Sequence, residues 1–283
     1  MSLGNGSYSV SGGSGDDNLF ITGHGQATLT GNGGNDNFSV ASDLSTITGG
    51  AGDDKVTIDG SGSSNISLGA GKNEVHATGG DSNTQYNIVG GGAGSDTIEL
   101  GNGTGIVDLT LGKRIDSSNV TISATDAKSS YTIVGGVSNT MKLSAGTYSV
   151  AGGAGNDSVT LSGAGNINIS LASGENSFEA VNGLATSLYS ISAGGSGKST
   201  IVMGNGTGTI DLTAGGKIDS ASIDITAATD ASSAYTISGG KSNTMTLGNG
   251  RYIASGGSGD DTFIVGPGSA TLSGGGGTDT YVI

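Results

Sequence analysis

The chain has no cysteine, no tryptophan and a single proline, and its 10 basic residues face 24 acidic ones. Without cysteine there is no disulfide framework, no thiolate nucleophile and no thiolate metal site. His24 and His76 are the only histidines. They give an acid–base constellation few members, and neither has a second ligand at a zinc-like spacing. No enzyme is expected. A net charge of −14 repels nucleic acid and anionic membrane surfaces, so neither is an expected partner. No apolar run approaches the roughly 18 residues that span a bilayer, and no basic-then-apolar export signal opens the chain. Aromatics make up 4% and hydrophobic residues 33%, too few for an ordinary compact core. Low aromatic content and high net charge would suit disorder. The periodicity argues otherwise.

What is abundant is glycine, with 58 residues. It recurs in one phrase, GGxGxD followed by a strand-former. The phrase reads GGSGDDNLF from Gly12, GNGGNDNFSV from Gly31, GGAGDDKVTI from Gly49 and GGAGSDTIEL from Gly91. It returns as GGAGNDSVTL from Gly152, GGSGDDTFIV from Gly256 and GGGGTDTYVI from Gly274. Asp17, Asp36 and Asp54 are 19 and 18 residues apart, and Asp261 and Asp279 are 18 apart. Two half-coils of about nine residues make one turn of a parallel solenoid, so this spacing stacks each glycine loop above the last. Between the loops, Thr28-Leu29-Thr30, Thr46-Ile47-Thr48 and Asn168-Ile169-Ser170-Leu171 alternate apolar with small polar residues. That is the two-residue period of a half-buried strand. No stretch has a 3.6-residue apolar period. The expected fold is all-β, a right-handed parallel β-roll or β-solenoid whose stacked coils share one thin core.

Tyr8, Tyr86, Tyr131, Tyr148, Tyr189 and Tyr235 each open a Tyr-x-(Val/Ile)-x phrase, and Tyr252 opens a looser one. They follow the repeat and do not cluster, so they read as residues covering the core beside each turn, not as a ligand track.

The loops carry chemistry suited to calcium, which takes six to eight oxygens from carboxylates and carbonyls. Glycines turn the backbone sharply and aim carbonyls inward. The candidate ligands are Gly12, Ser14, Asp16 and Asp17; Gly31, Gly33, Asn35 and Asp36; and Gly49, Ala51, Asp53 and Asp54. Later come Asp96, Asp157, then Gly256, Ser258, Asp260 and Asp261, and finally Gly274, Gly276 and Asp279. One loop cannot complete the shell, so each ion should lie between two stacked loops. In these phrases the chain resembles the RTX family, whose GGxGxDxUx nonapeptides form calcium-binding β-rolls in type I-secreted toxins, proteases, lipases, adhesins, S-layer proteins and epimerase R-modules. The resemblance covers seven phrases with an intact Asp. It implies a calcium-bound structural or adhesive segment, extracellular or on the cell surface, that folds on calcium after export. The segment is expected to be monomeric. Alternatives are a module binding polysaccharide or ice, or the accessory domain of a secreted enzyme.

Departures from that pattern matter. The intermediate loops, such as His24-Gly25-Gln26 and Gly60-Ser61-Gly62, lack the Asp, which places calcium mainly on one edge. On that edge Asn73, Asn176, Ser199, Thr140 and Thr244 stand where Asp is expected. Lys72, Lys142, Lys198 and Lys241 accompany these loops, either offsetting carboxylate repulsion or as ordinary surface lysines. GGSGKST at 194–200 imitates a phosphate loop, but no helix is expected after it, and it aligns with a calcium phrase. A longer repeat overlies the short one. Residues 49–151 match residues 152–255, with partial units at 4–48 and 256–283, in one continuous solenoid. Met-Ser-Leu reads as an expression leader, and the chain as a fragment of a larger protein. Its end, Asp279 to Ile283, faintly resembles an export signal but reads as a repeat strand.

Overall fold

A computed structural model describes residues 1–92, 94–110, 115–193, 197–213, 220–226 and 228–283. Among the described residues there is no helix, and every strand pairing is parallel. No helix is therefore long and apolar enough to cross a membrane. Contacts divide the chain into two units, Met1–Thr147 and Tyr148–Ile283. Both are parallel β-solenoids.

In the first unit, one sheet stacks Ser2–Leu3, Asn18–Ile21, Asn37–Val40, Lys55–Ile58, Glu74–Ala77, Gly94–Leu100, Ile115–Ile122 and Ser138–Leu143. The other stacks Gly6–Gly13, Gly25–Gly33, Leu44–Ala51, Ser63–Ala70, Gln85–Val89, Thr104–Asp108 and Ser130–Val134. These are called the short-strand and long-strand sheets below. The chain crosses from one to the other twice per coil, once through a glycine loop and once through the opposite edge. The second unit repeats the scheme, with Ser158–Leu161 through Thr280–Val282 in one sheet and Gly165–Leu171 through Ser269–Gly275 in the other. Thr280–Val282 pairs with Thr262–Val265, so the chain's last phrase is a repeat strand.

The alternation read from the sequence is the burial pattern. Along Leu44–Ala51, Ser45 and Ile47 point inward, while Thr46 and Thr48 point out. Pairing puts Leu29, Ile47, Ile66 and Ile88 in one inward column. Phe38, Val56, Val75 and Ile98 form a column in the other sheet. All eight are buried. Each such side chain contributes about 1.5–3 kcal/mol on burial, so a thin core gains by repetition what it lacks in width.

Tyr86, Tyr131, Tyr148, Tyr189, Tyr235 and Tyr252 are core residues, as their register suggested, while Tyr8 at the first coil is half-buried. Tyr86 pairs with Gly105, which pairs in turn with Tyr131. Both rings are buried, and Tyr131 Oη donates to the Gly101 carbonyl at 3.0 Å. Burial and Asp81 push the Tyr86 hydroxyl up to about 12, so it stays neutral. In the second unit Tyr235 stacks between Tyr189 and Tyr252, with centroids 6.3 Å apart on each side.

Coil length varies, and the variation falls largely on the edge away from the glycine loops. That edge is short at 59–62 but long at 78–84, where Thr84 N–H donates to the Asp81 carbonyl. In the second unit the 181–187 turn closes the same way, from Ser187 to Leu184. There Asp157, Asn176, Ser199, Ala221, Asn243 and Asp261 occupy successive coils. The long sequence repeat is thus a period of five coils.

Candidate functional site

Each GGxGxD phrase ends a long strand and turns into a short one, which places its last residue at the mouth of the core. The side chain there points inward. Asp36, Asp54, Asp96, Asp157 and Asp261 are all buried.

A ladder holds them. Asp17 N–H donates to Asp36 Oδ1 at 2.9 Å, Asp36 N–H to Asp54 Oδ1 at 2.9 Å, and Asp54 N–H to Asn73 Oδ1 at 3.0 Å. Asn73 N–H continues to Asp96 Oδ1 at 3.2 Å. In the second unit Asp157 donates to Asn176 at 2.9 Å, Asn243 to Asp261 at 2.7 Å, and Asp261 to Asp279 at 3.1 Å. A second ladder runs along the exposed neighbouring position in the opposite sense. Asn35 N–H donates back to Asp16 Oδ1 at 2.7 Å, Asp53 to Asn35 at 2.8 Å, and Lys72 to Asp53 at 2.8 Å. Glu175 to Asn156 and Thr278 to Asp260, both at 2.8 Å, repeat it in the second unit. Loop N–H groups that no strand partner reaches are satisfied this way.

The ladders need one side-chain oxygen, which an amide supplies as well as a carboxylate. Asn73 and Asn176 therefore hold the place of an aspartate without breaking the stack. The sequence expectation for Thr140 and Thr244 is corrected here. Those loops are one residue shorter, and Asn139 and Asn243 take the column position instead. Asn139 pairs with Ser118, and Asn243 bonds Asp261. Asp96 receives both the backbone N–H and the Nδ2 of Asn73. Lys72, Lys142, Lys198 and Lys241 form no ion pair among the described residues. The pairs found there are Lys55 with Glu74, His24 with Asp43 and His76 with Glu99.

At three of the column aspartates the second carboxylate oxygen is stranded. Oδ2 of Asp36, Asp54 and Asp261 is buried and meets no donor among the described residues. It lies against the first glycine of its own phrase. A Cβ on Gly31 would collide with Asp36 Oδ2 and approach the Gly49 carbonyl to 2.6 Å. This close approach explains why that glycine opens the phrase. Asn176 has no such problem, since its Nδ2 donates to the Ala172 carbonyl at 3.0 Å. Asn243 turns its Nδ2 to the Gly256 carbonyl and Asp261 Oδ1, and its own Oδ1 is buried without a donor among the described residues. Burial pushes the carboxyls of Asp36, Asp54, Asp96 and Asp261 above the ordinary value, against the pull of their N–H bonds. Neighbouring carboxylates add to the rise at Asp36, Asp54 and Asp261. A buried carboxylate oxygen without a donor calls for a proton or a cation.

The fold brings Asp17, Asp36 and Asp54 into consecutive coils, and likewise Asp261 and Asp279. Asp157 has Asn176 as its bonded neighbour. No three His, Cys, Asp or Glu side chains converge as a ligand set among the described residues. A cation here would have to draw on the loop carbonyls for most of its shell, with the stranded Asp oxygens as its charged ligands. The donor set fits calcium in that form. The phosphate-loop lookalike falls partly on 194–196, outside the described residues, and Lys198–Met203 after it is a strand. No family model, curated protein or solved structure matches this chain.

Proposed function

We propose that the chain is a structural segment of β-roll type, belonging to a secreted or cell-surface protein, whose glycine-loop edge takes up calcium. The observation that carries this reading is the set of stranded, buried oxygens on Asp36, Asp54 and Asp261. Divalent calcium would remove their burial penalty and the repulsion along the column, and draw its remaining ligands from loop carbonyls. Export of an unfolded chain followed by folding in calcium-rich surroundings follows from the same chemistry. Extracellular calcium modules bind in the range of about 10⁻⁴–10⁻³ M. The hydrogen-bonded ladders favour a second reading, a solenoid that stands without metal and uses Asp as it uses Asn.

Calorimetric titration and thermal melts separate the two. Under the calcium reading, melts in chelator and in about 10 mM calcium differ by the linkage gain, about 2.7 kcal/mol per site once calcium reaches 100 times Kd. Magnesium should do far less, because its rigid octahedral shell gives up water reluctantly. Identical melts in chelator and calcium would leave only the metal-free solenoid.

A further inference from the structure

The two sheets of the first unit differ in their outward faces. The short-strand sheet presents Lys55, Glu74, His76 and Glu99, paired at 3.3 Å and 2.8 Å. The seven long strands hold 48 residues, and at the chain's 12% charged content would carry about six charges. They carry one, Asp108. Its Oδ1 is turned onto the N–H and hydroxyl of Thr110, at 2.9 Å and 2.6 Å. In a chain of net charge −14, this face is close to charge-free.

What covers it instead is ordered. Ser9, Thr28, Thr46 and Asn65 are paired in one outward row. Ser11, Thr30, Thr48 and Ser67 form the row beside it. Neighbouring strands lie about 4.8 Å apart, and residues two apart along a strand about 6.7 Å. The result is a lattice of hydroxyls and an amide that both donate and accept. Asn87 extends the first row, and its Nδ2 donates to Asn65 Oδ1 at 3.0 Å. Apolar side chains stand on the same sheet, Leu44 at 39% exposure and Ile106 at 50%.

We infer that this long-strand sheet of the first unit is a docking surface for a neutral polysaccharide. A pyranose ring carries hydroxyls around its edge and C–H groups on its faces. That pairing suits rows of hydroxyls interleaved with threonine methyls and bordered by Leu44 and Ile106. Charge selects among glycans. A face without cations, on a chain this acidic, offers nothing to uronate or sulfate groups and repels them at long range. A neutral chain loses nothing by that field. Because the rows run along the coil stack, a polymer lying along them can meet several coils at once. The avidity would offset weak contacts at each one. The inference does not depend on calcium at the glycine edge.

The test is native affinity electrophoresis in saturating calcium, with hydroxyethyl cellulose in one gel and hyaluronan, a uronate polymer that stays soluble in calcium, in another. The parent chain should be retarded by hydroxyethyl cellulose and not by hyaluronan. Thr46→Glu places a charge at the centre of the lattice and should weaken retardation at least tenfold. Thr57→Glu, on the other sheet, should leave it unchanged. Circular dichroism of both variants shows that each is folded, and light scattering reports self-association. Absence of retardation by the neutral glycan, or equal retardation of Thr46→Glu, overturns the proposal. So does equal or stronger retardation by hyaluronan. A parent dimer that Thr46→Glu dissolves would assign the face to a second copy and overturn it as well.

Discussion

Replacing Asp54 by Asn asks what the buried carboxylate is for. Asp54 Oδ1 accepts the Asp36 N–H at 2.9 Å, and an amide oxygen in that place keeps the bond. Its Oδ2 is buried with no donor. The amide nitrogen would replace that stranded acceptor with a donor, as Asn176 does beside the Ala172 carbonyl. A buried unsatisfied polar group costs about 1–3 kcal/mol, and more when charged. In chelator at pH 7, Asp54→Asn should therefore stabilise the chain by about 1–3 kcal/mol. At about 2–4 °C per kcal/mol, the melting midpoint should rise visibly. In saturating calcium the order should reverse, because the variant loses a charged ligand. The pH dependence has a definite sign. Burial raises the folded carboxyl of Asp54 above its unfolded value of 3.8, so the folded state binds the proton more readily. Stability of the parent in chelator should then rise as pH falls from 7 through the folded value towards 3.8. Asp54→Asn should flatten its share of that slope. Melts from pH 4 to 8, with and without calcium, measure all three effects. If Asp54→Asn in chelator destabilises as much as Asp54→Ala, the oxygen is not stranded and the argument fails.

Gly31→Ala should destabilise by about 1–3 kcal/mol, because its methyl meets Asp36 Oδ2 and the Gly49 carbonyl; denaturant midpoints check this, and a neutral result would show that the loop relaxes cheaply. Ile47→Ala removes a fully buried column residue and should cost about 2–5 kcal/mol by the same assay. Asp36→Ala, flanked in the ladder by Asp17 and Asp54, should lower calcium stoichiometry more than Asp96→Ala, flanked by Asn73 and Ser118. Equal losses in calorimetry would show that ions do not sit between consecutive aspartate loops.

The coil spacing was legible because a solenoid writes its geometry directly into sequence distance. Asp17, Asp36 and Asp54 had to stack once strands alternated at Leu29 and Ile47. The equivalence of Asp and Asn was harder to read. A template counts positions, whereas the ladder asks only for an oxygen in place, and a loop shortened by one residue brings Asn243 where counting finds Thr244. The mutual bonds were hidden for the same reason: Asp16 and Asp17 look alike in sequence, yet one accepts from the coil after it and the other donates to it. The charge-poor sheet was hidden differently. Alternation tells which residues point outward, but not that Thr28, Thr46 and Asn65 share a sheet from which Lys55 and Glu74 are absent.

The five-coil period of the second unit gives it the properties of a ruler. The ladders fix the rise of each coil at about 4.8 Å, so equivalent points recur about every 24 Å along the stack. Length changes fall largely on the opposite edge, where the seven-residue turn at 181–187 closes on itself through Ser187 and Leu184. A peptide grafted into such a turn would leave both ladders intact. The turn at 78–84, closed from Thr84 to Asp81, offers the first unit a graft site of the same kind within its own stack.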